Sequence, residues 1–207
     1  MVGWHAKHGE APHRGRGTAT VEPLRKRNHI AAVKFALANS PRDRALFVFG
    51  INTGFRASDL LALTWGDILT ETGDIVRTLP FVESKTGTNR RLPIAENARK
   101  ALKAHLDSIG GIGDVELNSP VFASNRGGRL TVQRLHQMIN EWCSAAGIEG
   151  HFGTHTLRKT FGLHHYQGGM DIVQLMNCFG HSSPSITLRY IGLEQEAINQ
   201  KILNLNL

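Results

Sequence analysis

Cysteine is nearly absent from this chain of 207 residues: only Cys143 and Cys178 occur, far apart. Two distant cysteines build neither a disulfide framework nor a Cys-rich zinc site, and they read as reduced thiols in an intracellular protein. Long apolar runs are missing as well. No stretch approaches the ~20 residues of a membrane span, and the first residues lack the apolar centre of a secretory signal. The expected location is the cytoplasm, with no membrane partner. Acidic residues are in deficit: 24 Lys and Arg stand against 17 Asp and Glu, a net +7 with a pI near 9.8. Such a surplus favours an anionic partner, and nucleic acid is the first candidate. Tyrosine is scarce too, at Tyr166 and Tyr190 alone.

What remains is ordinary: 41% hydrophobic and 20% charged residues describe a globular chain with one good-sized core, or one domain and an appendage. Residues 1–20 are rich in Gly, His and Arg and are expected to form a disordered basic arm. His5, His8 and His13 lie in that arm without Cys or carboxylate support, which argues against a metal site. From Pro23 the pattern turns helical, with Ile30, Val33 and Leu37 at helical spacing. Pro41 opens a second helix that runs to Thr53-Gly54, and a third is expected from Ser58 to Trp65. Ile75-Val76, Leu79 to Val82 and Arg90 to Ile94 read as short strands around the turn signals Thr72-Gly73-Asp74 and Thr86 to Asn89. Helices return at Glu96 to Ser108, along the apolar stripe from Leu135 to Ala146, at Thr156 to Tyr166 and at Asp171 to Phe179. Residues 194–207 carry Ile198, Ile202, Leu203, Leu205 and Leu207, too apolar for a solvated end, and are expected to dock on this chain or a neighbour. The expected fold is mainly α with a small antiparallel β-sheet (α+β), residues 21–193 forming one domain.

Residues able to carry chemistry are spread along this frame. Arg56 follows Thr53-Gly54-Phe55 at a helix start, where backbone N–H groups already favour an anion. Asp59 lies one turn on and can steer Arg56 or a nearby histidine. Lys85 sits on a hairpin, well placed to give a proton to a leaving oxygen, and Arg90 and Arg91 on the returning strand add phosphate-binding charge. His155 and Arg158 share a helix face, with Thr154 as the expected cap, so both can reach one phosphate. Arginine grips a phosphate through two parallel hydrogen bonds, and histidine can donate to it or move a proton there. Lys159 reads as a DNA backbone contact, while His164 and His165 read as surface or packing residues. Gly180-His181 ends one helix, Pro184 stops it from continuing, and Tyr190 falls early in the next segment. A tyrosine hydroxyl beside such a cluster can attack phosphorus. His151 and His155 are four apart, yet no third ligand follows the usual spacing, so no metal is expected.

Singly these motifs are common. As an ordered set, Arg56 after Thr-Gly-Phe, hairpin Lys85, His155-x-x-Arg158, Gly180-His181 and Tyr190 resemble the tyrosine recombinase (phage integrase) family over about residues 24 to 203. The resemblance implies that family's catalytic-domain fold and a site-specific DNA recombinase, integrase-like, that cleaves and rejoins strands. It implies Tyr190 as nucleophile, leaving a 3′-phosphotyrosyl bond and a free 5′-hydroxyl. Arg56 and Arg158 would clamp the non-bridging oxygens, His155 and His181 would serve the phosphate and the proton movements with His155 as base, and Lys85 would protonate the departing oxygen. Asp59 takes a supporting place usually held by glutamate. No metal, ATP or other cofactor is implied, because the phosphotyrosyl ester keeps the energy of the cleaved bond and the cationic side chains supply the charge. The implied partners are double-stranded DNA, a homo-tetramer on paired sites, and accessory DNA-binding proteins, as for a mobile genetic element. Most integrases carry an N-terminal helical domain that closes a clamp on DNA. The chain is read either as a catalytic fragment or as a short recombinase similar to bacterial phase-variation invertases, with weak, salt-sensitive binding. Its apolar tail resembles the segment that family members pass to an adjacent protomer, and docking in cis stays open. Two other readings share the residues: type IB topoisomerase-like relaxation, and a catalytically silent DNA-binding protein. The complete residue set argues against silence.

Overall fold

Nine α-helices, one short 3-10 helix (Ile112–Asp114) and four short strands lie within residues 21–82, 89–193 and 203, the part of the chain that the computed structural model describes. The expected basic arm, hairpin Lys85 and the tail from 194 lie outside those residues, apart from an exposed Leu203. The helical reading holds, with boundaries set by local chemistry. Helix α1 spans Arg27–Ala36 and α2 Pro41–Thr53, the latter opened by a proline and closed by Gly54 in a left-handed conformation. Helix α3, Ala57–Ala62, is shorter than expected. Thr64 and Asp67 form a reciprocal cap at 2.7 Å that starts a separate short helix α4, Trp65–Ile68. Strands β1 (Thr78–Val82) and β2 (Asn89–Pro93) pair antiparallel, with Thr78 opposite Pro93 and Val82 opposite Asn89. Ile75 adds one bridge to Leu69 instead of a third strand.

Helix α5 covers Glu96–Ser108 and packs along α2. A small hairpin that the sequence reading passed over, β3 (Ala123–Ser124) and β4 (Gly127–Arg129), leads into α6, Val132–Ala145. That helix buries the expected stripe of Leu135, Met138, Ile139, Trp142 and Cys143. Helix α7, Thr154–Gln167, is the central one: all eight residues from Thr156 to Leu163 are buried. Helices α8 (Ile172–Phe179) and α9 (Pro184–Tyr190) close the domain, so Tyr190 ends a helix where an early position was expected.

Two apolar cores result. The large one gathers residues from Leu24 to Leu157 around Trp65, Phe47, Phe49 and Phe122. A satellite core of Phe161, Leu163, Leu175, Phe179 and Ile191 holds α8 and α9 against α7. Gly162 permits this approach, since a Cβ there would lie 2.6 Å from Phe179 and 2.7 Å from Ile191. Pro23 does not begin a helix. Residues 21–25 run extended along α7, where the Leu24 N–H donates to Thr160 Oγ1 at 2.9 Å and His164 Nε2 donates to the Leu24 carbonyl at 2.8 Å. These long-range bonds override the local preference of proline for a first turn.

Candidate active site

Arg158 is the fixed point of the site. It projects from buried α7 and is only 5% exposed. Nη1 donates to the Gly54 carbonyl at the end of α2, and Nη2 donates to the Phe179 carbonyl at the end of α8, 2.9 Å away. Its guanidinium carbon also stands 4.6 Å from the centre of the Phe179 ring. Two carbonyls and a ring face thus fix the plane of the fork at the junction of three helices. Gly54 is required there: its φ is +64°, and a Cβ would meet the Phe161 ring at 2.5 Å.

Around this point the structure gathers most of the expected residues. Arg56, half-buried, is the residue before α3, and its charge acts on both His155 and Tyr190. Asp59 is buried in the first turn of the same helix. His155 sits on the exposed side of the first turn of α7. The expected cap Thr154 is itself helical, and Thr156 Oγ1 accepts the Gly153 N–H at 3.1 Å in its place. His155 Nδ1 lies 3.0 Å from the Tyr190 hydroxyl. Partial desolvation, then the charges of Arg158, Lys159 and Arg56, hold the His155 pKa below its ordinary value. Burial pushes the Tyr190 hydroxyl up to about 12 against the opposing pull of Arg158 and Arg56. A protonated phenol therefore faces a neutral imidazole; in the tautomer that carries its proton on Nε2, O–H donates and Nδ1 accepts, the arrangement from which a base removes a nucleophile's proton.

His181 flanks the same ring, its centroid 5.1 Å from that of Tyr190, with Phe179 at 5.3 Å. Its Nδ1 is 3.1 Å from Thr187 Oγ1, and that hydroxyl donates to the Ser183 carbonyl at 3.3 Å. With its proton used there, Thr187 accepts from Nδ1–H, which fixes the orientation of the imidazole. Thr187, fully buried, was not singled out in the sequence, because a threonine on a helix carries no chemical signal by itself.

Three expected DNA contacts fall differently. Arg91 is exposed on β2 opposite Pro80, and Arg90 follows the same strand opposite Phe81. Lys159 is not at the surface. It is 8% exposed, and its Nζ donates to the Val21 carbonyl at 2.9 Å. His164 and His165 serve packing: His164 holds Leu24, and His165 lies 4.2 Å from the Phe161 ring. Among the described residues no three His, Cys, Asp or Glu side chains group as metal ligands, and no helix is long and apolar enough to cross a membrane.

Comparison with known proteins points to one family. Residues 24–196 match the phage integrase family. A probable integrase/recombinase of Bacillus subtilis, YoeC, is 38% identical over 85% of this chain and 92% of its own length. Tyrosine recombinase XerC of Pelobacter propionicus is 31% identical over 72% of this chain, and XerD of Mycobacterium leprae is 31% identical over 77%. The chain spans about half the length of these two relatives. In fold it is similar to the XerA recombinase (TM-score 0.70, 23% identity, 94% of this chain and 67% of that one). It is also similar to lambda integrase solved as a tetramer on a Holliday junction (TM-score 0.62, 19% identity, 84% of this chain and 49% of that one).

Proposed function

The chain belongs to the phage integrase family, and from that premise we propose that it is a site-specific DNA recombinase working through a 3′-phosphotyrosyl intermediate. The observation that carries the reading is the Tyr190 hydroxyl held 3.0 Å from His155 Nδ1 beside the anchored Arg158. In the reaction the Tyr190 oxygen attacks a DNA phosphorus while its proton passes to His155. The bond to the 5′-oxygen breaks, and Lys85 supplies the proton that the departing oxygen takes up. Arg56, Arg158 and His181 stabilise the charge that builds on the non-bridging oxygens. Attack by a 5′-hydroxyl on the phosphotyrosyl ester reverses the steps, so rejoining needs neither ATP nor metal.

On this reading residues 21–193 form the catalytic domain and Asp59 supports the site. Arg90 and Arg91 contact the DNA backbone, and the tail from 194 docks on this chain or a neighbour. The substrate is double-stranded DNA in the cytoplasm, held by four copies on two paired sites, with accessory DNA-binding proteins where a site requires them. Relaxation by a single copy shares the chemistry, but no feature of the site favours it over exchange between two sites.

The test incubates the protein with nicked duplexes bearing candidate sites and looks for a covalent protein–DNA adduct. Tyr190→Phe must abolish the adduct, and Tyr166→Phe, altering a residue packed on the satellite core, must spare it. An adduct that survives Tyr190→Phe removes the central assignment.

A further inference from the structure

Lys159 follows Arg158 in sequence but does different work. Its ammonium donates to the Val21 carbonyl at 2.9 Å and lies 5.4 Å from the centre of the Tyr190 ring. That separation is within the range of an attractive cation–ring contact. The backbone it grips is itself held along its length. The Glu22 N–H donates to the His151 carbonyl at 2.8 Å, the Leu24 N–H to Thr160 Oγ1 at 2.9 Å, and His164 to the Leu24 carbonyl at 2.8 Å. Arg25 then reaches across to the Gly192 carbonyl at 2.9 Å, two residues beyond Tyr190. The lead-in segment 21–25 therefore brackets the tyrosine: its ring lies against Lys159, and the backbone that follows it is tied to Arg25.

We propose that Lys159 is a positioning residue that seats the Tyr190 ring and couples it to the lead-in segment, and that it makes no DNA contact. The inference rests on Tyr190 being the nucleophile. Burying an ammonium without a carboxylate is costly, and burial together with the charge of Arg25 lowers the Lys159 pKa while Glu22 opposes them. A surface lysine avoids that cost by reaching into solvent. Lys159 instead accepts it in a place where its charge also helps keep His155 in the neutral form that accepts the Tyr190 proton. A ring displaced by about 1 Å from its attacking position can lose on the order of 10²-fold in rate with substrate affinity untouched, which is the signature to look for.

The experiment measures adduct formation at saturating nicked duplex, and separately the DNA Kd across a salt series. In Lys159→Met we expect a cleavage rate lower by roughly tenfold to 10²-fold, a Kd within twofold of the parent and an unchanged salt slope. Lys159→Arg, which can still reach Val21 and the ring, should recover most of the rate. Thr160→Val loosens the segment from its other side, so it should slow cleavage several-fold in the parent and add little in Lys159→Met. The proposal is overturned if Lys159→Met cleaves at the parental rate. It is equally overturned if the loss appears in Kd with the salt slope reduced by about one, the mark of a phosphate contact. Should Lys159→Met fail to fold, Thr160→Val alone decides, since a parental rate in that variant removes the coupling. A parent that forms no Tyr190-dependent adduct overturns the function itself, which separates the two failures.

Discussion

Replacing Arg158 by alanine should damage stability and cleavage together, through contacts that can be counted separately. In the fold, two buried carbonyls at Gly54 and Phe179 lose their charged donor. At about 1–3 kcal/mol for each polar group left unsatisfied, the pair costs about 2–6 kcal/mol. The cation–ring contact with Phe179 adds about 0.5–2 kcal/mol. In a domain of this size each kcal/mol moves the melting temperature by roughly 2–4 °C, so even a total near 3 kcal/mol lowers it by about 6–12 °C. In the reaction, loss of one charge-stabilising donor costs on the order of 10²–10³ in rate. Calorimetry reads the first loss, and adduct formation at saturating DNA, measured below the lowered melting point, reads the second. Arg56→Ala, at a half-buried helix start, should lose a comparable rate with a melting shift less than half as large. An Arg158→Ala protein that melts within about 2 °C of the parent would refute the anchoring argument. A loss of DNA affinity as large as the loss of cleavage would refute the clamp.

Three further outcomes follow from the same geometry. The His155 pKa is held down, so the base form persists below the usual value of about 6.5. Cleavage should be flat through neutrality with an acid limb beneath that pH. His155→Gln should replace that limb by a rate rising with pH, because Tyr190, near 12, must then lose its proton to hydroxide; an unchanged limb assigns the base elsewhere. His105 is buried between Trp65 and Phe122 with Nε2 donating to the Val121 carbonyl, and burial lowers its pKa. Its contribution to stability is complete above about pH 6.5 and is lost as pH falls through the depressed folded-state value, since the unfolded chain binds the proton first. Urea midpoints of His105→Gln should show a shallower acid dependence than the parent over that window. Gly162→Ala puts a methyl group against Phe179 and Ile191 and should cost about 1–3 kcal/mol by overpacking. Cleavage should fall further than affinity, because the helices pushed away carry His181 and Tyr190, and equal falls would contradict that account.

Much of the fold was legible because its signals are local. Pro41 and Gly54 bound α2, and Glu96 to Ser108 reads as α5 end to end. Readings failed where distant partners or a short capping pattern decided the outcome. Pro23 looked like a helix start until α7 supplied partners for the backbone around it. Trp65 looked continuous with α3 until Thr64 and Asp67 capped a new turn. In the site, the order of Arg56, His155, Arg158, His181 and Tyr190 was visible because side-chain identity carries the chemistry. The groups that aim Arg158 are backbone carbonyls, which look the same at every position of a sequence. The burial of Lys159 is illegible for a related reason: basic residues on helices usually face water, and only the packing of α7 on every side turns this one inward.

The two cores give the catalytic centre a seam. Arg56 belongs to the body built on the large core, whereas His181 and Tyr190 ride on α8 and α9, secured by five buried side chains, the grip of Arg158 on Phe179 and the reach of Arg25 to Gly192. A unit so small opens at lower cost than the body that bears it. On the proposed reading, opening there would withdraw Tyr190 and leave Arg56 in place.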